Sequence, residues 1–372
     1  MILLRSLAFI TQNLFLGFTA LIGIAFLIGF HELGHFLFAK LFNISVPSFS
    51  IGFGPRIFKK KIGETEFTLS ALPLGGYVEV AGMAEMGQGE QKSAHTKDAR
   101  SFAVKPFYQK LLVLFGGIFF NIAFGYFALI LLFLLGVPKP VTIIRNVQAD
   151  SAMEKYLKPA DQIIAINGQS VENDVEKLLS LIRPFANQEV QTTINRNNQE
   201  HIIPVTLASR KDAEGDLVGS MQGITFEMAK TPSLPFFESI NKGIGLTHKF
   251  IGDTIKGFLS LGKGKGNLQG PVSIISTIMD GISQSFSVFL LLLALISINL
   301  AVLNLIPLPI LDGGQILYYT IEAIIGRPIP LKIREYIHIA SWLLVLGLVL
   351  YLSASEIYKM AKPFIVKLTG KI

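Results

Sequence analysis

His31-Glu32-Leu33-Gly34-His35 places two imidazoles four residues apart, with a carboxylate beside the first. On a helix four residues advance about 400°, so both rings lie on one face, one turn apart. Two histidines at that spacing can hold one zinc ion, and Glu32 then stands where it can take a proton from a water polarised by the metal. With 6 His and 26 acidic residues in 372, the pattern arises by chance somewhere in such a chain with a probability of roughly 0.7%, so coincidence explains it poorly. The chain has no cysteine. That excludes disulfides, iron–sulfur clusters and thiolate sites, and leaves His, Asp and Glu as metal ligands.

A catalytic zinc keeps three protein ligands and one open position. The best third ligand is Asp312, within Asn304-Leu305-Ile306-Pro307-Leu308-Pro309-Ile310-Leu311-Asp312-Gly313-Gly314. Pro307 and Pro309 must break a helix and free backbone groups, and Gly313 and Gly314 let the chain turn tightly beside the carboxylate. Read alone, the segment is also an ordinary helix-ending turn at a membrane surface. His338 is a further candidate; His95 lies in a polar stretch, and His201 and His248 in a central insert.

The elements that must position these groups are membrane helices. Hydrophobic residues make up 51% of the chain and charged ones 16%; mean hydropathy is +0.52. A soluble domain carries about 25% charge, so neither a soluble globule nor a disordered chain fits. Four stretches can span a bilayer, which takes about 20 residues each: Leu14 to Phe42, Leu111 to Val137, Phe286 to Leu305 and Ile337 to Leu352. The first is too long for a signal peptide and lacks a small-residue cleavage site. Each ionisable group inside a span costs roughly 2.5–3.5 kcal/mol, so three within five residues imply a function that offsets them. Counting from Leu14, His31 lies about 26 Å along a path of about 30 Å, inside the membrane and near its far side.

The stretch between the first two spans carries nine Lys and Arg, among them Arg56, Lys59, Lys60, Lys61, Lys92, Lys97 and Arg100. Arg327, Lys332 and Arg334 follow the third span. Basic loops face the cytoplasm, so both loops and the metal end of the first span are expected there. Residues 138–285 and both termini are then expected outside. The net charge of +7 reflects these loops, and no nucleic-acid partner is expected.

The insert is of another kind. Val141–Ile144, Gln162–Ile166 and Glu189–Ile194 read as strands, with a turn at Asn167-Gly168. Residues 208–222 read as a loop, and residues 235–261 as an amphipathic helix at the membrane or on the insert. Gly262–Gly266 reads as a flexible glycine loop without a phosphate-binding pattern. Glu66–Ala71 alternates like a strand, and its exposed edge could pair with an extended peptide through Phe67, Thr68 and Leu69.

These motifs together resemble the site-2 proteases, intramembrane zinc metalloproteases, in their bacterial RseP-like branch. The likeness rests on His31–His35 in the first span and Asn304–Gly314 after the third. Further support comes from Phe49–Pro55 and Leu72–Val78, which resemble a membrane-re-entrant β-hairpin, and from Gly117 with Asn121 in the second span. Leu157–Gly168 resembles a PDZ strand-turn signature, and Leu268–Pro271 a Gly-Pro element. Three positions depart: Ile118 where Pro is usual, Gln315 where His commonly follows the glycines, and Ala160 where the PDZ turn has Gly.

The resemblance implies an α-helical polytopic protein of four transmembrane helices, with a membrane-associated β-hairpin region and an extracytoplasmic PDZ-like α+β domain. It implies segments 1–137, 138–228, 229–285 and 286–372. It implies Zn2+ held by His31, His35 and Asp312, Glu32 as base, and Asn304 bonded to the substrate main chain. Asn121 and Asn299 read as interhelical bonds. The expected activity is the second cut of regulated intramembrane proteolysis, in the cell inner (cytoplasmic) membrane. Its substrates would be single-span proteins of the anti-sigma-factor or signal-peptide-remnant type, already cut by an upstream site-1-type protease. Two other classes compete: a zinc-free membrane scaffold presenting a PDZ domain, and an anchored metalloprotease that cuts soluble peptides.

Overall fold

The computed structural model describes residues 2–83, 98–211, 216–261 and 270–369. In chain order the elements are α1 (Ile2–Leu41), β1 (Ser48–Ile62), β2 (Thr65–Glu79), α2 (Phe107–Leu135), β3 (Pro138–Val147), β4 (Gln162–Ile166), β5 (Gln169–Ser170), α3 (Val175–Ile182) and β6 (Glu189–Arg196). There follow β7 (Gln199–Thr206), β8 (Ala208–Lys211), β9 (Leu217–Ser220), β10 (Ile224–Lys230), α4 (Phe236–Leu261), α5 (Pro271–Gln284), α6 (Phe286–Asn304), α7 (Asp312–Ile325) and α8 (Leu331–Thr369). Two compact units result, Met1–Leu134 with Pro235–Ile372, and Leu135–Leu234.

Among the described residues of the first unit, four helices are long and apolar enough to cross a membrane. They are Thr11–Leu41 of α1, Phe107–Leu135, Phe286–Asn304 and Lys332–Lys359 of α8. The chain is a membrane protein with an added β region. Helices α1 and α8 run beyond the apolar stretches that announce them, because hydropathy marks the part that crosses lipid and not where helical hydrogen bonding stops. Asn43 ends α1 in a left-handed conformation (φ 52°), and the Ile44 N–H returns to the Ala39 carbonyl at 2.8 Å, a Schellman-type closure. Ser285 caps α6 through its hydroxyl, which accepts from the Val288 N–H at 3.2 Å.

Strands β1 and β2 fold into one small sheet against α1. Phe36 of α1 meets Phe49 and Phe67 edge-on, with centroids 5.7 and 5.6 Å apart. The register corrects one expectation. Phe67 lies opposite both Phe49 and Lys60, Thr68 opposite Ser50 and Lys59, and Leu69 opposite Ile51 and Phe58. Residues Glu66–Leu69 are therefore flanked on both sides and offer no open edge. A strand has only two rows of N–H and C=O groups, and the two halves of β1 occupy both. Gly76–Glu79, by contrast, pairs only with Ser48–Ile51 among the described residues. This outer segment lies against α1: a Cβ on Gly76 would stand 3.6 Å from Glu32 Cγ and from Ile28.

In the second unit the sheet order is β10-β3-β4-β6-β7, with β5 paired to β4. Asn167 (φ 47°) and Gly168 (φ 78°) make the β4–β5 turn, the two left-handed residues that a tight hairpin needs. Asp174 caps α3, accepting from the Glu176 N–H at 2.8 Å. Ile144, Ile163, Leu178, Ile182 and Ile194 form the buried core. Residues 208–222, expected as loop, contain the hairpin β8–β9. Four-residue strands are too short for a period-2 pattern to emerge, and within them Val218 and Ser220 are buried. The 262–266 loop lies outside the described residues.

Candidate metal centre

Helix α1 carries His31 and His35 on one face, and Asp312 opens α7 directly after the proline-broken end of α6. The three side chains converge. His31 Nε2 is 3.2 Å from Asp312 Oδ2, His35 Nε2 is 3.5 Å from Asp312 Oδ1, and the two Nε2 atoms are 3.1 Å apart. Among the described residues no other group of three His, Asp or Glu side chains is gathered closely enough to hold a metal. His338 on α8, His201 on β7 and His248 on α4 are not members of that group, and His95 lies outside the described residues.

The set fits zinc. Bonds of about 2.0–2.1 Å in a tetrahedron space the ligand atoms about 3.3 Å apart, close to the separations found. Asp312 is buried, and its Oδ2 receives no hydrogen bond. A buried carboxylate oxygen left without a donor is costly, and a cation between it and the two imidazoles removes that cost. The chemistry of the donors agrees, since imidazole and carboxylate are established zinc ligands.

Helix α2 supports the ligands from behind. Gly117 faces them, and a Cβ there would stand 2.5 Å from both His31 Cε1 and His35 Nε2. His35 Nδ1 donates to the Val113 carbonyl at 2.8 Å, which leaves Nε2 free for a metal. Asn121 Nδ2 lies 3.1 Å from His31 Nδ1. Asn121 also ties α2 to α6, its carbonyl accepting from Ser297 Oγ at 2.9 Å. Asn299 bonds Thr254 of α4 at 2.7 Å. Both asparagines thus bond between helices, but the partner of the Asn121 side chain is one of the histidines at the centre.

A cavity of about 240 Å³ opens at this point. Glu32, Asn304, Asp312 and Gln315 line it with both histidines, and Val78 and Val80 enter it from the outer strand. Phe67, Thr68 and Leu69 are not in its wall. Sequence reasoning missed Val113 because a backbone carbonyl leaves no trace in residue type. It missed the role of Gly76–Val80 because strand order within a sheet is not written in alternation.

The sequence pattern of Peptidase family M50 matches residues 19–348. The chain is 33% identical over 350 residues to the Campylobacter jejuni protein named "Putative zinc metalloprotease Cj1068", covering 91% of this chain and 92% of that one. It is 32% identical over 352 residues to a protein of Fusobacterium nucleatum named in the same way, covering 92% and 98%. It is 28% identical over 410 residues to "Zinc metalloprotease RasP" of Geobacillus kaustophilus, covering 90% and 95%. A His-His-Asp group that fits zinc, with both histidines on a membrane-length helix and set in a match of this extent, has one reading: the chain belongs to Peptidase family M50, the site-2 protease family, and is a zinc metalloendopeptidase.

Proposed function

We propose that this enzyme cuts single-span membrane proteins in or near their transmembrane segment. The observation that supports this most is the origin of the ligands: two from a helix long enough to cross a membrane, one from the start of α7, just past the broken end of another. His31, His35 and Asp312 hold the zinc, and Glu32 is the base. Bound zinc supplies a Lewis acid that polarises the scissile carbonyl and lowers the pKa of water. Glu32 takes a proton from the attacking water and returns it to the leaving amine nitrogen. Asn304 holds the substrate main chain through its amide.

A helical substrate hides its carbonyls in its own hydrogen bonds, so it must be extended before attack. Gly76–Val80 is the edge on which that extension occurs, by strand addition. It lies beside Glu32 and sends Val78 and Val80 into the cavity. The unit Leu135–Leu234 is PDZ-like and outside the cytoplasm, where it admits only substrates already trimmed by an upstream site-1-type protease. Anti-sigma factors and signal-peptide remnants have the required single span. The location is the cell inner membrane, with the metal toward the cytoplasmic side, as the basic segments around it favour.

The test is co-expression with tagged single-span candidates, wild type against Glu32→Gln. Accumulation of an intact substrate only in the variant, with zinc still bound, supports the proposal. Full activity on soluble peptides alone, or identical processing by both proteins, overturns it.

A further inference from the structure

Asn121 is buried, 1% exposed, and its Oδ1 has no hydrogen-bond partner. The other end of the same amide, Nδ2, stands 3.1 Å from His31 Nδ1. An amide nitrogen only donates, so this arrangement requires a lone pair on Nδ1 and the ring proton on Nε2. Nε2 is the atom that faces Asp312 Oδ2 at 3.2 Å and His35 Nε2 at 3.1 Å. The same atom cannot both keep that proton and bind a metal.

A half-turn of the amide removes both conflicts at once. Oδ1 then stands where Nδ2 does, gains the partner it lacks, and accepts from an Nδ1–H. The ring proton is held on the side away from Asp312, and Nε2 presents its lone pair to the cation. His35 is already arranged in this way, with its Nδ1–H on the Val113 carbonyl at 2.8 Å. Both acceptors come from α2, Val113 on one side and Asn121 on the other of Gly117, whose Cα faces the two rings.

We infer that Asn121 is a positioning residue for the metal: its amide oxygen fixes His31 in the Nδ1–H form, so that Nε2 is free to ligate. This rests on the reading of His31 as a ligand. The side chain acts through the imidazole and touches neither zinc nor substrate. It also explains why a second-span asparagine, which could have been a simple interhelical tie, is buried against a histidine. An outer partner of a ligating histidine sets its tautomer and orientation, and losing such a partner commonly lowers metal affinity by about 10- to 100-fold.

The experiment uses the full-length protein in detergent and compares wild type, Asn121→Leu and Asn121→Asp. Zinc affinity is read by competition with a chromophoric chelator, and thermal unfolding is read on the metal-stripped proteins. Leu keeps the volume and removes the acceptor. Asp keeps an acceptor and cannot donate to Nδ1. The expected result is a 10- to 100-fold weaker zinc affinity in Asn121→Leu, affinity within threefold of wild type in Asn121→Asp, and unfolding temperatures of the stripped proteins that agree. Wild-type affinity in Asn121→Leu overturns the inference and assigns the proton to the Gly117 carbonyl, the other acceptor beside His31. Equal weakening in both variants also overturns it, since a packing role does not separate Asp from Leu. If Asn121→Leu does not fold, ¹⁵N spectra of histidine-labelled, zinc-loaded wild type decide. A His31 Nδ1–H coupled to the Asn121 side-chain carbonyl supports the inference, and an uncoupled one refutes it. Absence of zinc from the wild type would instead overturn the proposed function itself.

Discussion

Gly34 and Gly116 meet backbone to backbone where α1 crosses α2: a Cβ on Gly116 would stand 2.7 Å from the Gly34 carbonyl oxygen. Gly34 lies between the two histidines of the candidate metal centre in sequence, and Gly116 lies between Val113 and Asn121. The contact therefore sets the distance at which α2 can reach both imidazoles. Small residues at such crossings let membrane helices approach closely. Gly34→Val forces the helices apart, with an expected loss of at least tenfold in zinc affinity. Gly117→Ala acts more directly, since its methyl would collide with both rings, and should leave the protein with well under one zinc per chain. Gly245→Ala, whose methyl would point into open space, is the control and should retain full zinc. Elemental analysis of the purified variants checks all three.

The outer strand gives a second prediction. The chain lacks cysteine, so a single introduced thiol reports one position cleanly. Val78→Cys in a Glu32→Gln background should form a disulfide with a cysteine placed near the scissile bond of a trapped substrate. Thr68→Cys, between two strand segments and outside the cavity wall, should not. Cross-linking at Thr68 and not at Val78 would return the clamp to the inner strand.

Within the Leu135–Leu234 unit, Ala160 sits at φ 71°, a conformation that costs a non-glycine residue about 1–2 kcal/mol. Its neighbour Asp161 is 1% exposed and binds Arg196 in a fork, Nε at 2.7 Å and Nη2 at 2.6 Å. Burial pushes the Asp161 carboxyl up, but Arg196 and the Lys158 N–H outweigh it and hold the group below the ordinary carboxylate range. Ala160→Gly should stabilise the unit by about 0.5–1 kcal/mol. Asp161→Asn should destabilise it by about 3 kcal/mol, by stranding the guanidinium. Hydrogen exchange of the core amides in β4 and β6 measures both.

Glu64 at the β1–β2 turn is held by Arg100, by Lys40 and, at 3.3 Å, by Ser45. The Arg100 and Lys40 contacts lower its pKa from 4.5 to about 2. A depressed carboxyl stabilises the fold fully above the unfolded value, and that stabilisation is lost as pH falls toward the folded value. Glu64→Gln should therefore unfold at a lower temperature than wild type near pH 7, with a gap that shrinks below about pH 4.5 and closes near about pH 2. The carboxylate is partly exposed, so the effect at neutral pH is small, about 1 kcal/mol or less. A gap that persists at pH 2 would assign the difference to packing.

How much was legible in residue order depends on the range of the interaction. The His31–His35 spacing reads directly because four residues on a helix always return to the same face. The four spans read because lipid demands a long apolar run, and the Asn167-Gly168 turn because few residues adopt its angles. Asp312 could be nominated by its prolines and glycines, but whether it lay near His31, 281 positions earlier, was decided only by how α1, α2 and α6 pack. The order of segments in the β1–β2 sheet, the Val113 carbonyl behind His35 and the placing of Asn121 against His31 belong to the tertiary structure for the same reason. A backbone group or an edge acquires its partner only when distant elements dock, and nothing in its own residue type records which partner that is.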